Sequence, residues 1–498
     1  MWWGAARRFV AVLGPFVVRA LLINKLGVDY LGLSSFYTSL LQILNLAELG
    51  FSTAVAYGMY EPIARGDSDM VARYLNYLRR VYHIIGVSLL LGGLVLIPAL
   101  SFLISGTVPS DVNLGLAFII FLANTALGYV LFAHKQTLLQ AHQRKDLVDK
   151  VGLATLVAQF VLQSAVLVLA PNFYTYAIVL PLCTIASNLI LSKLTQHYYP
   201  QYTDARIREL ELGEEERKDM RVRIVGLVLQ KACMITRDPF AGVVISAFVG
   251  LGAIARFGNY LSVVGGLLGL LGVIGMSMTA SVGNSIALES PEKNTNDLRL
   301  FVFLYAFASI VCAAVLLACF QPFMALWVGD ELVLPFGFAI SMVVYFYIRT
   351  MGDMRTVYVD ATGVWWKLRW RALAETIANL VLCLVCTRLW SIQGTMVALC
   401  TSLFVFNFLY GSHLVFKLYF GLEKARDYYL DHAAYALAAL IICALVYALA
   451  SLVPADTWAL LVLRAFVAGL CASVMATLLF YRSKQFKRAL EFLRMLKA

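Results

Sequence analysis

The chain has 498 residues, of which 61% are hydrophobic and 14% charged, and its mean hydropathy is +0.79. A soluble protein carries about 25% charged residues, and a globule of this length has too little interior to hide so many apolar side chains. Disorder, fibrous repeats and an ordinary soluble fold are excluded, which leaves a polytopic membrane protein with a formal net charge of +11 to be explained.

Apolar runs of helical length lie at 9–24, 33–57, 81–104, 113–133, 151–170, 173–192, 224–249, 257–283, 300–320, 333–348, 372–387, 393–416, 433–452 and 459–481. One crossing takes about 20 apolar residues, so the expected fold is all-α with about 14 transmembrane helices. Of the 40 Lys and Arg residues, 33 fall in the termini and in every second loop, and three (Lys25, Arg256, Arg388) fall in the loops between. The positive-inside rule then puts both termini in the cytoplasm and requires an even number of crossings. The expected division is a six-helix bundle over 1–192, a charged cytoplasmic linker over 193–223 and a second six-helix bundle over 224–417. Two additional helices over 418–481 and a basic cytoplasmic tail over 482–498 complete it.

The loops between these runs exclude several activities. External loops such as 105–112 and 321–332 are short, and the linker of 31 residues is too small for a nucleotide-binding or catalytic domain. No GxxxxGK[ST] occurs, so coupling through a P-loop in this chain is excluded and a transporter is expected rather than an enzyme. Basic loops beside a membrane answer to anionic lipid head groups, so no nucleic-acid partner is expected. Arg19 interrupts the first apolar run, against a cleavable signal peptide. The nine cysteines lie almost entirely in apolar runs; Cys383 and Cys386 form a CxxC without a second pair, and no HExxH occurs, so no metal site is expected.

Four cations remain inside the apolar runs: Arg19, Lys231, Arg237 and Arg464. Their acidic counterparts are Glu48, Asp238 and, near a helix end, Glu375. A charge at mid-bilayer costs about 2.5–3.5 kcal/mol on insertion scales, so each should face a partner or a polar cavity. Structural ion pairing is one reading, with Arg237 and Asp238 bonding neighbours on different helices. The surplus of cations favours the other, an anionic ligand, because guanidinium suits phosphate oxygens. Arg464 sits about a turn from an external helix end and could snorkel there.

A weak repeat relates the two halves. Pro15-Phe16 is echoed by Pro239-Phe240, Leu26-Gly27 by Val249-Gly250, and Tyr37 by Tyr260, at an offset of 224 and then 223. Proline in each opening helix predicts a bend. The eighth run is rich in glycine (Gly258, Gly265, Gly266, Gly269, Gly272, Gly275), and Gly265–Gly269 matches GxxxG, which predicts close helix packing or, alternatively, sliding between two arrangements.

Residues 15–86 carry PFVVRALLINKLGVDYLGLSSFYTSLLQILNLAELGFSTAVAYGMYEPIARGD and a basic YLNYLRRVYHIIG. With ITRDPFAGVVISAFVGLGAIARFGNYLSVV (235–264), SVGN (281–284) and DATGVWWKLRWRALAETIANL (360–380), they resemble the bacterial capsule and O-antigen (Wzx-type) oligosaccharide flippases. That polysaccharide transporter family belongs to the multidrug/oligosaccharidyl-lipid/polysaccharide (MOP) exporter superfamily. The resemblance implies two six-helix bundles facing each other in a V, with two further helices. It implies a flippase of the bacterial inner membrane that moves undecaprenyl-diphosphate-linked oligosaccharide to the outer leaflet. Membrane lipids and polysaccharide polymerase or glycosyltransferases are then the expected partners. On that reading Arg19, Lys231, Arg237 and, least securely, Arg464 bind the diphosphate or an acidic sugar. Pro15, Pro239, Asn259, Tyr260 and Asn284 are cavity or hinge residues, and Glu375 and Asn379 serve packing or a cytoplasmic gate. Glu48 and Asp238 are candidates for proton or sodium coupling, with no other cofactor. A lipid II flippase and a cation-coupled multidrug exporter of the same superfamily are the alternatives, and the cationic surplus argues against the second.

Overall fold

The computed structural model describes residues 2–45, 51–362 and 367–495, apart from the side chains of a few helix positions, chiefly 225–234. All regular structure among the described residues is helical. Each expected apolar run lies on a helix or a pair of helices where it is described. By length and apolarity alone, eight helices among the described residues could cross a membrane, or nine if one bent pair is a single span.

The first unit, Met1–Ala255, opens with α1 (Trp2–Lys25) and α2 (Val28–Leu44), joined at Gly27. The run expected at 9–24 is thus part of a helix of 24 residues, about 36 Å long. α3 (Phe51–Arg65) ends at Gly66, and the Asp67 side chain caps α4 (Ser68–Leu96) by accepting from the Met70 N–H at 2.9 Å. A 3₁₀ turn, Ile97–Leu103, follows, and then α5 (Leu114–Val130). At Phe132 the backbone takes left-handed angles (φ 56°), and the chain bends by 47° into the short α6 (Ala133–Ala141). α7 (Lys145–Leu169) and α8 (Phe173–Tyr198) make a hairpin. The linker is largely helical, as α9 (Asp204–Glu209) and the first turns of α10 (Glu214–Phe248). α10 packs along α2, and α1 along α7, so the compact unit extends past the linker to Ala255.

The second unit, Arg256–Ala498, begins inside α11 (Leu251–Leu288) and continues with α12 (Pro291–Val328). α13 (Phe336–Met351) and the short α14 (Asp353–Thr362) meet at Gly352, as α5 and α6 meet at Phe132. α15 (Arg369–Ser402) leads through π-helical turns, Leu403–Tyr410 and Phe416–Phe420, that flank α16 (Gly411–Val415). A straight helix over this stretch of 52 residues would be about 78 Å long, more than twice a hydrocarbon core. It is not straight. Trp390 and Ser391 leave helical angles, and Thr387 and Thr395, about 12 Å apart along an ideal axis, share a hydroxyl hydrogen bond of 2.7 Å. Ser402 likewise reaches Asn379, 23 residues back, at 3.0 Å. Arms 369–389 and 392–402 are therefore antiparallel, the counterpart of the α7–α8 hairpin. α17 (Ala425–Ala450) and α18 (Trp458–Phe480) pack on α12, and the amphipathic α19 (Lys484–Met495) lies against it through an Arg488–Asp297 ion pair of 3.6 Å.

Candidate translocation site

The repeat read in the sequence has a matching backbone. At the end of α1, Leu26 and Gly27 both donate to the Leu22 carbonyl, at 3.0 and 3.2 Å; at the end of α10, Val249 and Gly250 both donate to that of Ile245, at 2.8 and 3.0 Å. Gly27 (φ 116°) and Gly250 (φ 112°) take angles that side chains avoid, so each turn requires glycine. Ten residues after each glycine a tyrosine is fully buried. Tyr37 donates to the Leu114 carbonyl at 2.8 Å and lies against Phe118 and Phe121. Tyr260 donates to Gln321 at 2.7 Å, accepts from the Leu334 N–H at 3.0 Å, and lies against Phe320 and Phe338. Tyr260 thus ties the first turns of α11 to the last turns of α12 and to the entry of α13. Its neighbour Asn259 is fully buried, while Asn284 lines a pocket of about 410 Å³ with Lys293, Asp297 and Tyr358.

Of the intramembrane cations, Arg19 and Arg237 belong to the first unit and Arg464 to the second. Arg19, half-buried on α1, donates to the Ala255 carbonyl at 3.4 Å and lies beside the Tyr176 hydroxyl. Arg237 is buried on α10, and Asp238 next to it is half-buried. Arg464 belongs to α18 in the second unit and donates to the Val453 carbonyl of the preceding loop at 3.4 Å, the direction in which an arginine reaches for a helix end. Pro15 and Pro239 lie inside α1 and α10 with helix on both sides. Glu48 and the side chain of Lys231 fall outside the described residues.

Glu375 and Asn379 lie in a polar interior of the second unit. The Glu375 side chain is fully buried and accepts from Arg371 at 2.7 Å and from Asn407 at 3.5 Å. Asn379 accepts from Ser402 across the α15 hairpin. Nearby, Arg355 of α14 is buried and donates to the Asn407 carbonyl at 2.6 Å, to its side chain at 3.1 Å and to Ser412 at 3.1 Å. The first unit has a similar group at the matching place. Lys135 of α6 is buried, donates to Ser192 at 3.0 Å and pairs with Asp204 at 3.0 Å. Lys135 and Arg355, and likewise Ser192 and Ser412, are 220 residues apart. By sequence both cations count as loop residues, because each follows an apolar run. The signal that could have found them is the constant offset of a Lys/Arg–Ser pair.

The glycines of α11 depart from expectation. A Cβ at Gly265, Gly269 or Gly272 would meet no described atom within 4 Å, so this GxxxG does not mark a close helix contact among the described residues. A close approach is found instead at Gly32, where a Cβ would lie 2.1 Å from the Leu251 carbonyl oxygen.

The architecture is shared with solved transporters. The lipid II flippase MurJ, in an inward closed conformation, matches with a TM-score of 0.73 at 12% identity, over 97% of this chain and 99% of that one. An inward-facing multidrug resistance MATE family transporter of the MOP superfamily matches with a TM-score of 0.66 at 14% identity, over 83% and 98%. A mutant of the Vibrio cholerae MATE transporter VcmN matches with 0.54 at 14% identity, over 84% and 94%. The fold is the one these solved transporters have. No protein-family model and no curated protein matches the sequence. The chain is accordingly a multi-pass, all-helical membrane protein with the fold of membrane transporters.

Proposed function

We propose that the chain flips an undecaprenyl-diphosphate-linked oligosaccharide across the bacterial inner membrane by ion-coupled alternating access, for capsule, O-antigen or exopolysaccharide synthesis. The observation that carries the reading is a pair of arginines, Arg19 and Arg237, set within helices of the first unit. A buried guanidinium is stable where an anion meets it, and a diphosphate supplies several acceptor oxygens in the right geometry. About 14 crossings with both termini cytoplasmic follow from the alternation of basic loops. Arg19, Arg237 and Lys231 bind the anionic head, and Arg464 acts at a helix end of the second unit. Asp238 and Glu48 take up the coupling proton or sodium, and Asn259 and Asn284 meet the sugars. Nothing in this scheme requires catalytic chemistry, so the protein is a transporter and not an enzyme. Lipid II is the second reading, favoured by the likeness to a lipid II flippase along 97% of this chain.

The test is a pair of substitutions, Arg19→Gln and Arg237→Gln, scored for surface polysaccharide and for the amount of chain in the membrane. Loss of polysaccharide with the chain still present is the expected result. Undiminished export in both variants without accumulation of lipid II would remove the anionic cargo. Accumulation of lipid II with polysaccharide unaffected would transfer the assignment to the second reading.

A further inference from the structure

The first unit holds a second cationic place that is separate from Arg19 and Arg237. Where α4, the linker and the start of α10 meet, a pocket of about 450 Å³ is lined by Arg80, Arg217, Arg221 and Tyr77 on its polar side. Val81, Ile84, Ile85 and Ile224 form its apolar side. Glu211 sits between two of the arginines: one carboxylate oxygen accepts from Arg80 at 2.5 Å and the other from Arg217 at 3.2 Å. The Arg80 hydrogen bond holds the Glu211 carboxyl below the usual carboxylate range. Three guanidinium groups against one carboxylate leave the pocket with two surplus positive charges. Its framework is fixed, since buried Asn76 donates to the Leu210 carbonyl at 2.8 Å and ties the linker to α4.

The apolar side does not stop at the pocket. Ile84, Val87, Leu91 and Val95 are spaced by three or four residues along α4 and are all exposed, Ile84 by 66% and Val95 by 77%. That spacing puts them on one helix face. A compact cationic pocket opening onto a straight apolar stripe matches an amphiphile with a phosphate head and a hydrocarbon chain. A soluble phosphate would use the arginines and leave the stripe bare; an uncharged lipid would do the reverse.

We propose that this pocket binds the phosphate head group of a membrane lipid whose chain lies along the α4 stripe. Glu211 holds Arg80 and Arg217 in place when no lipid is bound, and the phosphate takes over those hydrogen bonds on binding. Two sources share the chemistry, an anionic phospholipid and a polyprenyl phosphate. The site stands independently of the cargo assignment, because it uses none of the residues given to cargo.

Full-length chain taken from vesicles of phosphatidylcholine alone, or of phosphatidylcholine with either phosphatidylglycerol or undecaprenyl phosphate, tests this by native mass spectrometry of retained lipid. Retention of either anionic phosphate lipid above the zwitterionic phosphatidylcholine is expected, and the one retained identifies the source. Arg221→Gln leaves the Glu211 pairs intact and should weaken retention about tenfold, the size of one charge-assisted hydrogen bond. Glu211→Gln removes the resident anion and should strengthen it severalfold. Retention equal for all three lipids, or unchanged in the folded Arg221→Gln variant, would overturn the proposal. So would equally tight binding of inorganic pyrophosphate alone.

Discussion

The two units solve one electrostatic problem in different ways. Each has a short helix following a longer one with a buried cation on the short member, Lys135 on α6 and Arg355 on α14, and each cation donates to a serine on a later helix, Ser192 on α8 or Ser412 on α16. The countercharges differ. In the second unit the carboxylate at hand is Glu375, fully buried on α15 and shared with Arg371. In the first unit it is Asp204, which belongs to the linker and is 38% exposed. One unit therefore keeps its countercharge inside its own packing, and the other depends on the linker being docked. Two stretches of chain can share a backbone turn, as at Gly27 and Gly250, while charge balance diverges, because a turn tolerates few residues and an ion pair can be closed from any neighbouring element.

The sharpest way to break the comparison is at Glu375. Glu375→Ala takes from Arg371 the carboxylate it pairs with, whose charge also attracts Arg355. Removing one member of a buried pair costs about 3–5 kcal/mol, since the remaining charge has lost its compensation. Thermal unfolding in detergent should show a large loss, with little folded chain recovered. The double variant Arg371→Met with Glu375→Leu should recover part of it, because it removes one uncompensated charge and restores packing. If the single alanine variant melts like the parent, the second unit's countercharge lies elsewhere.

The tyrosine pair sharpens the same contrast on the part the units share. Tyr260→Phe deletes one donated and one accepted hydrogen bond and leaves the Leu334 N–H without its partner. An unsatisfied buried donor costs about 1–3 kcal/mol. Tyr37→Phe deletes a single donation to the Leu114 carbonyl, worth about 1 kcal/mol. The ordering Tyr260 above Tyr37, measured by unfolding of the two variants side by side, is the expected outcome. Equal effects would mean that the ring contacts, which both keep, carry the tie.

These sites also show what the sequence discloses. The turn at Gly27 and Gly250 is legible, because a left-handed backbone angle admits almost only glycine and so leaves a mark at a fixed spacing. Helix positions are legible because apolar runs are long and the bilayer sets their length. Lys135 and Arg355 are not, since a cation just past an apolar run reads as a solvated loop residue unless the bend that folds it inward is known. Glu375 stands out as a charge, but its partner four residues earlier reads as part of a loop. A Cβ at Gly265 or Gly269 would meet no described atom within 4 Å. GxxxG permits close approach without requiring it, and a close contact falls at Gly32, outside that pattern. The α15 hairpin can be read as two runs only because Arg388 interrupts them.

The smallest effect belongs to the first unit's open pair. Asp204→Asn removes a carboxylate that water already reaches, and Lys135 keeps its hydrogen bond to Ser192. Lys135 is buried but Asp204 is 38% exposed, so the pair lies between exposed pairs, worth about 0–1 kcal/mol, and buried ones; it weakens with salt, and global unfolding should shift less than in Glu375→Ala. The consequence should be local. α9 also holds to α4 through Arg206, which donates to Asp69 at 2.6 Å and to Ser68 at 3.1 Å, so the linker loses one of its anchors and keeps another. Limited proteolysis of the purified chain should then cut between α8 and α10 faster in Asp204→Asn than in the parent, and the difference should shrink as salt is raised. Raised salt should leave the Glu375 variant's melting point unchanged, because its charges are buried beyond the reach of screening. If both respond alike to salt, the distinction between a closed and an open countercharge is lost, and the two units are equivalent in charge as well as in backbone.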